Sequence, residues 1–249
     1  MSDPSPRRVA MISAAGTYAG PALARLLAGR GHDLVLGDPT PALVDELRAV
    51  GSEVAVVDDV ADLATDGATE RLVDAARERF GRLDAATMAS GVIVTGRFAD
   101  ATVDDLHLAV RGCMEAPFRF LKAVVPAMVD AGGGQVLVQT SAAGARTTPG
   151  APLYSAARAG ANHLVRNVAG EVARHGVQVN AVGTNFMDFP AFLKASGAET
   201  PEGRERVEAM VPMRRLGALE EFAAFCAVFL DGTSGFTTGQ FVPYAGGWA

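Results

Sequence analysis

Cysteine is nearly absent from the chain, which carries only Cys113 and Cys226. Two thiols cannot build a disulfide framework or a cysteine-ligated zinc site. Histidine is almost as sparse. His32, His107, His163 and His175 are scattered, and none belongs to an HExxH or comparable cluster, so no resident metal is expected. Long hydrophobic runs are missing as well. The longest, such as 223–230, falls far short of the ~20 residues that span a bilayer. The polar lead MSDPSP passes straight into an apolar stretch with no secretory core, so a soluble, cytoplasmic protein is expected. Excess positive charge is lacking too: 22 basic residues stand against 28 acidic ones, a net charge of −6. That balance argues against nucleic acid or an anionic membrane as a partner. Lysine occurs only as Lys122 and Lys194, the other basic residues being arginine. An arginine where chemistry expects lysine is therefore open to explanation by composition alone.

What is present is apolar and glycine-rich. Hydrophobic residues make up 49% of the 249, and 28 are glycine. That is too apolar for disorder and long enough for a substantial core. Short apolar runs at 9–14, 33–37, 53–57, 83–88, 135–140, 177–182 and 240–243 read as strands. Helical stretches fall between them at 20–30, 41–50, 68–80, 103–129, 152–175 and 219–230, with glycines 31, 51, 81 and 176 marking helix ends. This alternation predicts an α/β fold: a Rossmann-like, doubly wound parallel sheet of about seven strands with helices on both faces. No linker or repeat interrupts residues 1–249, so a single domain is expected. Irregular segments at 14–20, 141–152 and 183–201 follow strand C-termini, where such sheets bind ligands. The last reads as a lid or pocket wall, or as an excursion covering the core.

The turn after the first strand reads Ser13-Ala14-Ala15-Gly16-Thr17-Tyr18-Ala19-Gly20. A dinucleotide turn of the form TGxxxGxG needs glycines where this chain has Ala14 and Tyr18. A phenol ring at the second position stands where diphosphate or ribose must pass. Asp38, at the end of the second strand, falls where an acid would hold a ribose hydroxyl, although an Asp-Pro turn also accounts for it.

Further on, Ser141 ends a predicted strand, Tyr154 lies 13 residues later, and Arg158 is four beyond that. Positions i and i+4 share a helix face, so the cation is expected beside the phenol. A neighbouring cation favours an ionised phenol. With Ser141 donating to a substrate oxygen, the three residues make a general-base site for a hydroxyl group.

This spacing resembles the Ser…Tyr-x-x-x-Lys triad of short-chain dehydrogenases/reductases, with Arg158 in the lysine position. Arg82-Leu83-Asp84, Pro126-Ala127-Met128 and the 176–181 segment are also similar to that superfamily, and the likeness runs from about Val9 to Trp248. The departures select a branch. The Asn-Asn-Ala-Gly segment is Met88-Ala89-Ser90-Gly91, and the helix position that often carries asparagine falls near Cys113. The pattern Ser13-x4-Tyr18-x-Gly20 with Ser141-x12-Tyr154-x3-Arg158 resembles the halohydrin dehalogenases, whose turn carries threonine where this chain has Ser13. A drift of lysine to arginine would not also place Tyr18 in the glycine turn.

The resemblance implies cofactor-free conversion of vicinal haloalcohols to epoxides, its reversal by small anions, and a homotetramer. The implied catalytic residues are Ser141, Tyr154 and Arg158. Tyr18, Asn185 and the amides of Phe186 and Met187 are implied to hold the halide. Phe189, Phe192, Thr147 and Leu153 are candidates for the substrate pocket, although core packing also accounts for the phenylalanines. Two other functions remain open at this stage. One is an NAD(P)-dependent alcohol dehydrogenase with atypical motifs, and the other is a catalytically dead scaffold that binds a ligand or partner.

Overall fold

The computed structural model describes residues 7–89 and 91–249; the polar lead and Ser90 lie outside them. Seven strands form one sheet in the order β3-β2-β1-β4-β5-β6-β7, and every neighbouring pair is parallel. They are β1 (Arg8–Ile12), β2 (His32–Gly37), β3 (Val54–Val57), β4 (Ala85–Ala89), β5 (Gly134–Ser141), β6 (Val177–Thr184) and β7 (Phe241–Tyr244). The expected α/β, doubly wound architecture is the one observed, and each predicted strand falls within a few residues of its place.

Central strands are buried on both faces, which is why they read as continuous apolar runs. Alternate residues of β1 divide between two cores. Val9 and Met11 pack against α3 (Ala68–Phe80), α5 (Ala116–Asp130) and α6 (Pro152–Val172) through Leu72, Phe120, Met128 and Val165. Ala10 and Ile12 face α1 (Gly20–Gly29), α2 (Pro41–Ala49) and α9 (Leu219–Ala227) through Leu23, Leu27, Leu47 and Phe222. Burying each such side chain is worth roughly 1.5–3 kcal/mol, so the two apolar layers, rather than helix propensity, hold the sheet between its helices.

The strand order reverses between β1 and β4, which places the ligand crevice of the fold above their C-terminal ends. Two departures from the predicted elements lie around that crevice. The helix expected over 103–129 is α4 (Val103–Val110) and α5 joined by a π-helical turn, Arg111–Glu115. The 183–201 segment is not irregular throughout, because α7 (Pro190–Ser196) forms within it and α8 (Pro201–Glu208) follows at once. Both carry proline in the first turn, where a missing N–H costs nothing.

Cys113 and Cys226 are both buried, unbridged thiols. Among the described residues there is no metal-competent cluster of His, Cys, Asp or Glu, and no helix is long and apolar enough to cross a membrane.

Candidate active site

Ser141 is the last residue of β5, paired in register with Thr184 at the end of β6. Its hydroxyl donates to the Thr184 carbonyl at 3.3 Å and accepts the Ala143 amide at 3.1 Å. The chain then folds back onto α6. The Ser155 hydroxyl donates to the Ala143 carbonyl at 2.7 Å. Gly144 lies so close to the helix that a Cβ there would meet Asn162 Nδ2 at 2.7 Å and Ala159 N at 2.8 Å. This approach, open only to glycine, draws the start of α6 and Tyr154 toward the end of β5.

Tyr154 packs with Cys113, Ala143, Ala151 and Ala157 in a small buried cluster against which Leu153 also rests. One turn on, the Arg158 guanidinium carbon lies 5.2 Å from the centroid of the Tyr154 ring, within cation–π range. Arg158 is itself only 4% exposed. Gly91, beyond β4, has a φ of +142°, and a Cβ on it would run into the Arg158 Nη2 atom. The glycine therefore leaves room for the guanidinium. On the other side of that loop, Cys113 of the π-turn donates to the Val92 carbonyl at 3.5 Å, a sulfur contact. The structure thus brings Tyr154, Arg158 and the Cys113 position together.

Tyr18 adopts a left-handed backbone, φ +51°, which a non-glycine residue rarely takes. Its ring packs edge-on against Phe189 at 4.9 Å and tilts against Phe222 at 5.8 Å. Its hydroxyl reaches across the crevice to Thr184 Oγ1 at 2.9 Å. Burial is the main reason its phenol is pushed far above the ordinary tyrosine range, so it stays neutral.

The 185–187 turn differs from the expectation at one amide. Phe186 also has a positive φ, +56°, and its N–H is taken by Asn185 Oδ1 at 2.9 Å. A local side-chain bond satisfies it, so that amide is not a free anion donor as expected. Asp188, the next flanking amide, is held by the Gly217 carbonyl at 2.8 Å. Phe192 stacks against Phe189 at 6.3 Å and meets Phe186 edge-on at 5.9 Å, in an aromatic row that continues to Trp248. These rings pack mainly on one another.

Thr147 does not join the pocket. It is exposed on an outer groove with Phe98, Pro149 and Ala156, because the 142–150 segment turns outward before α6 begins. Leu153 does line a cavity, of about 210 Å³, with Val94, Gly96, Arg97 and Pro152. A second cavity, about 350 Å³, lies beneath Asn185, Phe186 and Met187 and is otherwise bounded by Leu216, Tyr244 and Gly246. Neither is lined by Ser141, Tyr154 or Arg158, so cavity size alone would misplace the chemistry. Sequence reasoning gave no role to Thr184, which touches both Ser141 and Tyr18; the likeness of the 183–186 segment to the dehalogenases was its one signal.

Residues 19–249 match the family described as enoyl-(acyl carrier protein) reductase. Oxidoreductase UcpA of Escherichia coli K12 is 30% identical over 241 residues, covering 93% of this chain and 90% of that protein. The chain belongs to the short-chain dehydrogenase/reductase superfamily. Among solved superfamily structures, levodione reductase superposes with a TM-score of 0.85 at 27% identity, with 96% of each chain covered. A structure described as a dehalogenation enzyme superposes with a TM-score of 0.83 at 28% identity, covering 98% of this chain and 99% of that one.

Proposed function

We propose that the protein is a cofactor-free halohydrin dehalogenase, converting vicinal haloalcohols to epoxides and opening epoxides with small anions. The observation that carries this reading is Tyr18. Its ring sits in the crevice where a reductase holds its dinucleotide, and its hydroxyl is tied to Thr184 on the far side.

The residues around the turn do not fit a nicotinamide dinucleotide. The loop after β1 leans on the end of β2, since the Ala15 amide donates to the Gly37 carbonyl at 3.0 Å and a Cβ on Gly16 would collide with the Asp38 carbonyl. The acid expected for a ribose is engaged, with Asp38 accepting the Asp59 amide at 2.7 Å and the Val60 amide at 3.0 Å. Pro21 removes a donor from the first turn of α1, where diphosphate would bind.

In the proposed mechanism Tyr154, with the Arg158 cation over its ring, takes the proton from the substrate hydroxyl while Ser141 holds that oxygen. The oxygen attacks the neighbouring carbon, forming the C–O bond of the epoxide. The C–halogen bond breaks with its electron pair leaving on the halide, and Tyr154 passes its proton to solvent. Nothing is oxidised or reduced. Holding nucleophile and leaving group in one molecule gives the closure a large proximity advantage. Tyr18, the Asn185 carboxamide and the Met187 amide surround the halide. Leu153 and the cavity beside it accommodate the substrate's remaining substituent, with Phe189 and Phe192 backing the opposite wall.

The test is halide release from a simple vicinal bromoalcohol without added cofactor. The wild type is expected to release bromide and Tyr154→Phe to release it at least about a hundredfold more slowly; equal release by both, or release by neither, would overturn the assignment. The names of the relatives favour a second reading, an NAD(P)-dependent alcohol dehydrogenase. NADH binding, followed by energy transfer from Trp248, together with alcohol-dependent NADH formation would establish that reading instead.

We further propose a homotetramer. Val103, Leu106, Val110, Met114 and Phe118 form an exposed apolar stripe along α4, the π-turn and α5, beside the small residues Ala156 and Ala159 of α6. Such a stripe suits helix-to-helix contact with a second copy.

A further inference from the structure

Thr184 stands between the two halves of the site. Its backbone carbonyl accepts the Ser141 hydroxyl at 3.3 Å, and its own Oγ1 accepts the Tyr18 phenol at 2.9 Å. Tyr18 donates in that pair, and burial keeps its phenol protonated so that it has a hydrogen to give. Among the described residues, no acceptor is engaged by the Thr184 hydroxyl proton. Thr184 is only half-buried, and it is followed directly by Asn185 and the 185–187 turn. A hydroxyl that already accepts one hydrogen bond is a stronger donor for the next, since bonds in a chain polarise one another.

We infer that Thr184 donates its hydroxyl hydrogen to the halide and that the Tyr18–Thr184 pair is the anion-binding relay of the site. The inference rests on the dehalogenase reading and extends it to a residue outside the superfamily triad. Through its carbonyl, the same residue holds the Ser141 hydroxyl until a substrate oxygen takes its place. One residue therefore touches both the serine that holds the substrate oxygen and the anion that leaves. Because the carbonyl belongs to the backbone, a side-chain change separates the two roles.

The decisive variant is Thr184→Val, which keeps the shape and the carbonyl and deletes the hydroxyl; Thr184→Ser restores it. The readout is bromide binding, measured at constant ionic strength by quenching of Trp248. This is the single tryptophan of the chain, and its ring lies 5.4 Å from Phe186. Losing one hydrogen bond to an anion is expected to weaken bromide binding about tenfold or more in Thr184→Val, with Thr184→Ser within about threefold of wild type. The KM for a bromoalcohol should rise in Thr184→Val with a smaller change in kcat.

Equal bromide affinity in wild type and Thr184→Val would overturn the inference while leaving the dehalogenase reading intact. A wild type that binds bromide, loses it in Thr184→Val, yet never closes an epoxide would sustain the anion relay and overturn the reaction. A wild type that binds no bromide overturns both. If Thr184→Val does not fold, Tyr18→Phe tests the same relay. Removing the polarising phenol should weaken bromide a few-fold, and unchanged affinity would refute the relay.

Discussion

The Arg158 guanidinium carbon lies 5.2 Å from the centroid of the Tyr154 ring, one turn further along α6. In the proposed mechanism Tyr154 is the general base, and the Arg158 cation is held over its ring. Tyr154→Phe keeps the ring and the cation contact and deletes the proton acceptor. Its turnover of a bromoalcohol should fall by about 10²–10⁴-fold, the usual contribution of a positioned base. Its melting temperature should stay near that of the wild type. Arg158→Lys keeps the charge but loses the planar contact, so it should retain part of the activity; Arg158→Met should retain none.

Gly91 makes this pair possible. Its φ of +142° and the guanidinium at its Cβ position leave no room for a side chain. Gly91→Ala should cost about 1–3 kcal/mol in backbone strain and push Arg158 off the Tyr154 ring. Denaturant unfolding should show that modest loss, while bromide release drops far more steeply. A variant with wild-type turnover would show that the contact is dispensable.

The order of strands and helices was legible because each strand is buried on both faces and each helix on one. Such burial leaves an apolar run or a periodic stripe in the sequence. The contact of Tyr154 with Arg158 was legible from spacing, since i and i+4 on α6 fix the relation of the two before any packing is known. The π-turn at Arg111–Glu115 was not, because one added residue in a helical turn barely disturbs an apolar stripe that runs on from Leu106 to Phe118. The bond from the Phe186 amide to Asn185 Oδ1 was hidden for a different reason. It depends on a positive φ at Phe186, which no side-chain pattern announces. Thr147 was misplaced because the direction of the 142–150 segment is set by the contact of Gly144 with α6, a tertiary event.

The apolar stripe on α4 and α5 supplies a prediction about assembly. Phe118 is 51% exposed and Leu106 42%, which is costly for a lone chain of 25.7 kDa and useful at an interface. Phe118→Glu should put a charge into that contact and lower the mass measured by light scattering toward the monomer. An unchanged tetramer would place the interface elsewhere, and a monomeric wild type would remove it.

His32 gives the fold a pH dependence away from the site. The side chain is 2% exposed, with Nδ1 placed 3.1 Å from the Leu27 carbonyl. Burial, reinforced by the charge of Arg8, lowers its pKa below the usual histidine value. In the unfolded chain the ring takes a proton near pH 6.5. Above that value both states hold it neutral and nothing is lost. As the pH falls through 6.5 toward the lowered folded value, only the unfolded chain is protonated, so stability drains away. The melting temperature should therefore decline between pH 7.5 and 5.5, and His32→Asn, which has no proton to take up, should decline less over the same window. Equal slopes for the two proteins would assign the acid sensitivity to other groups.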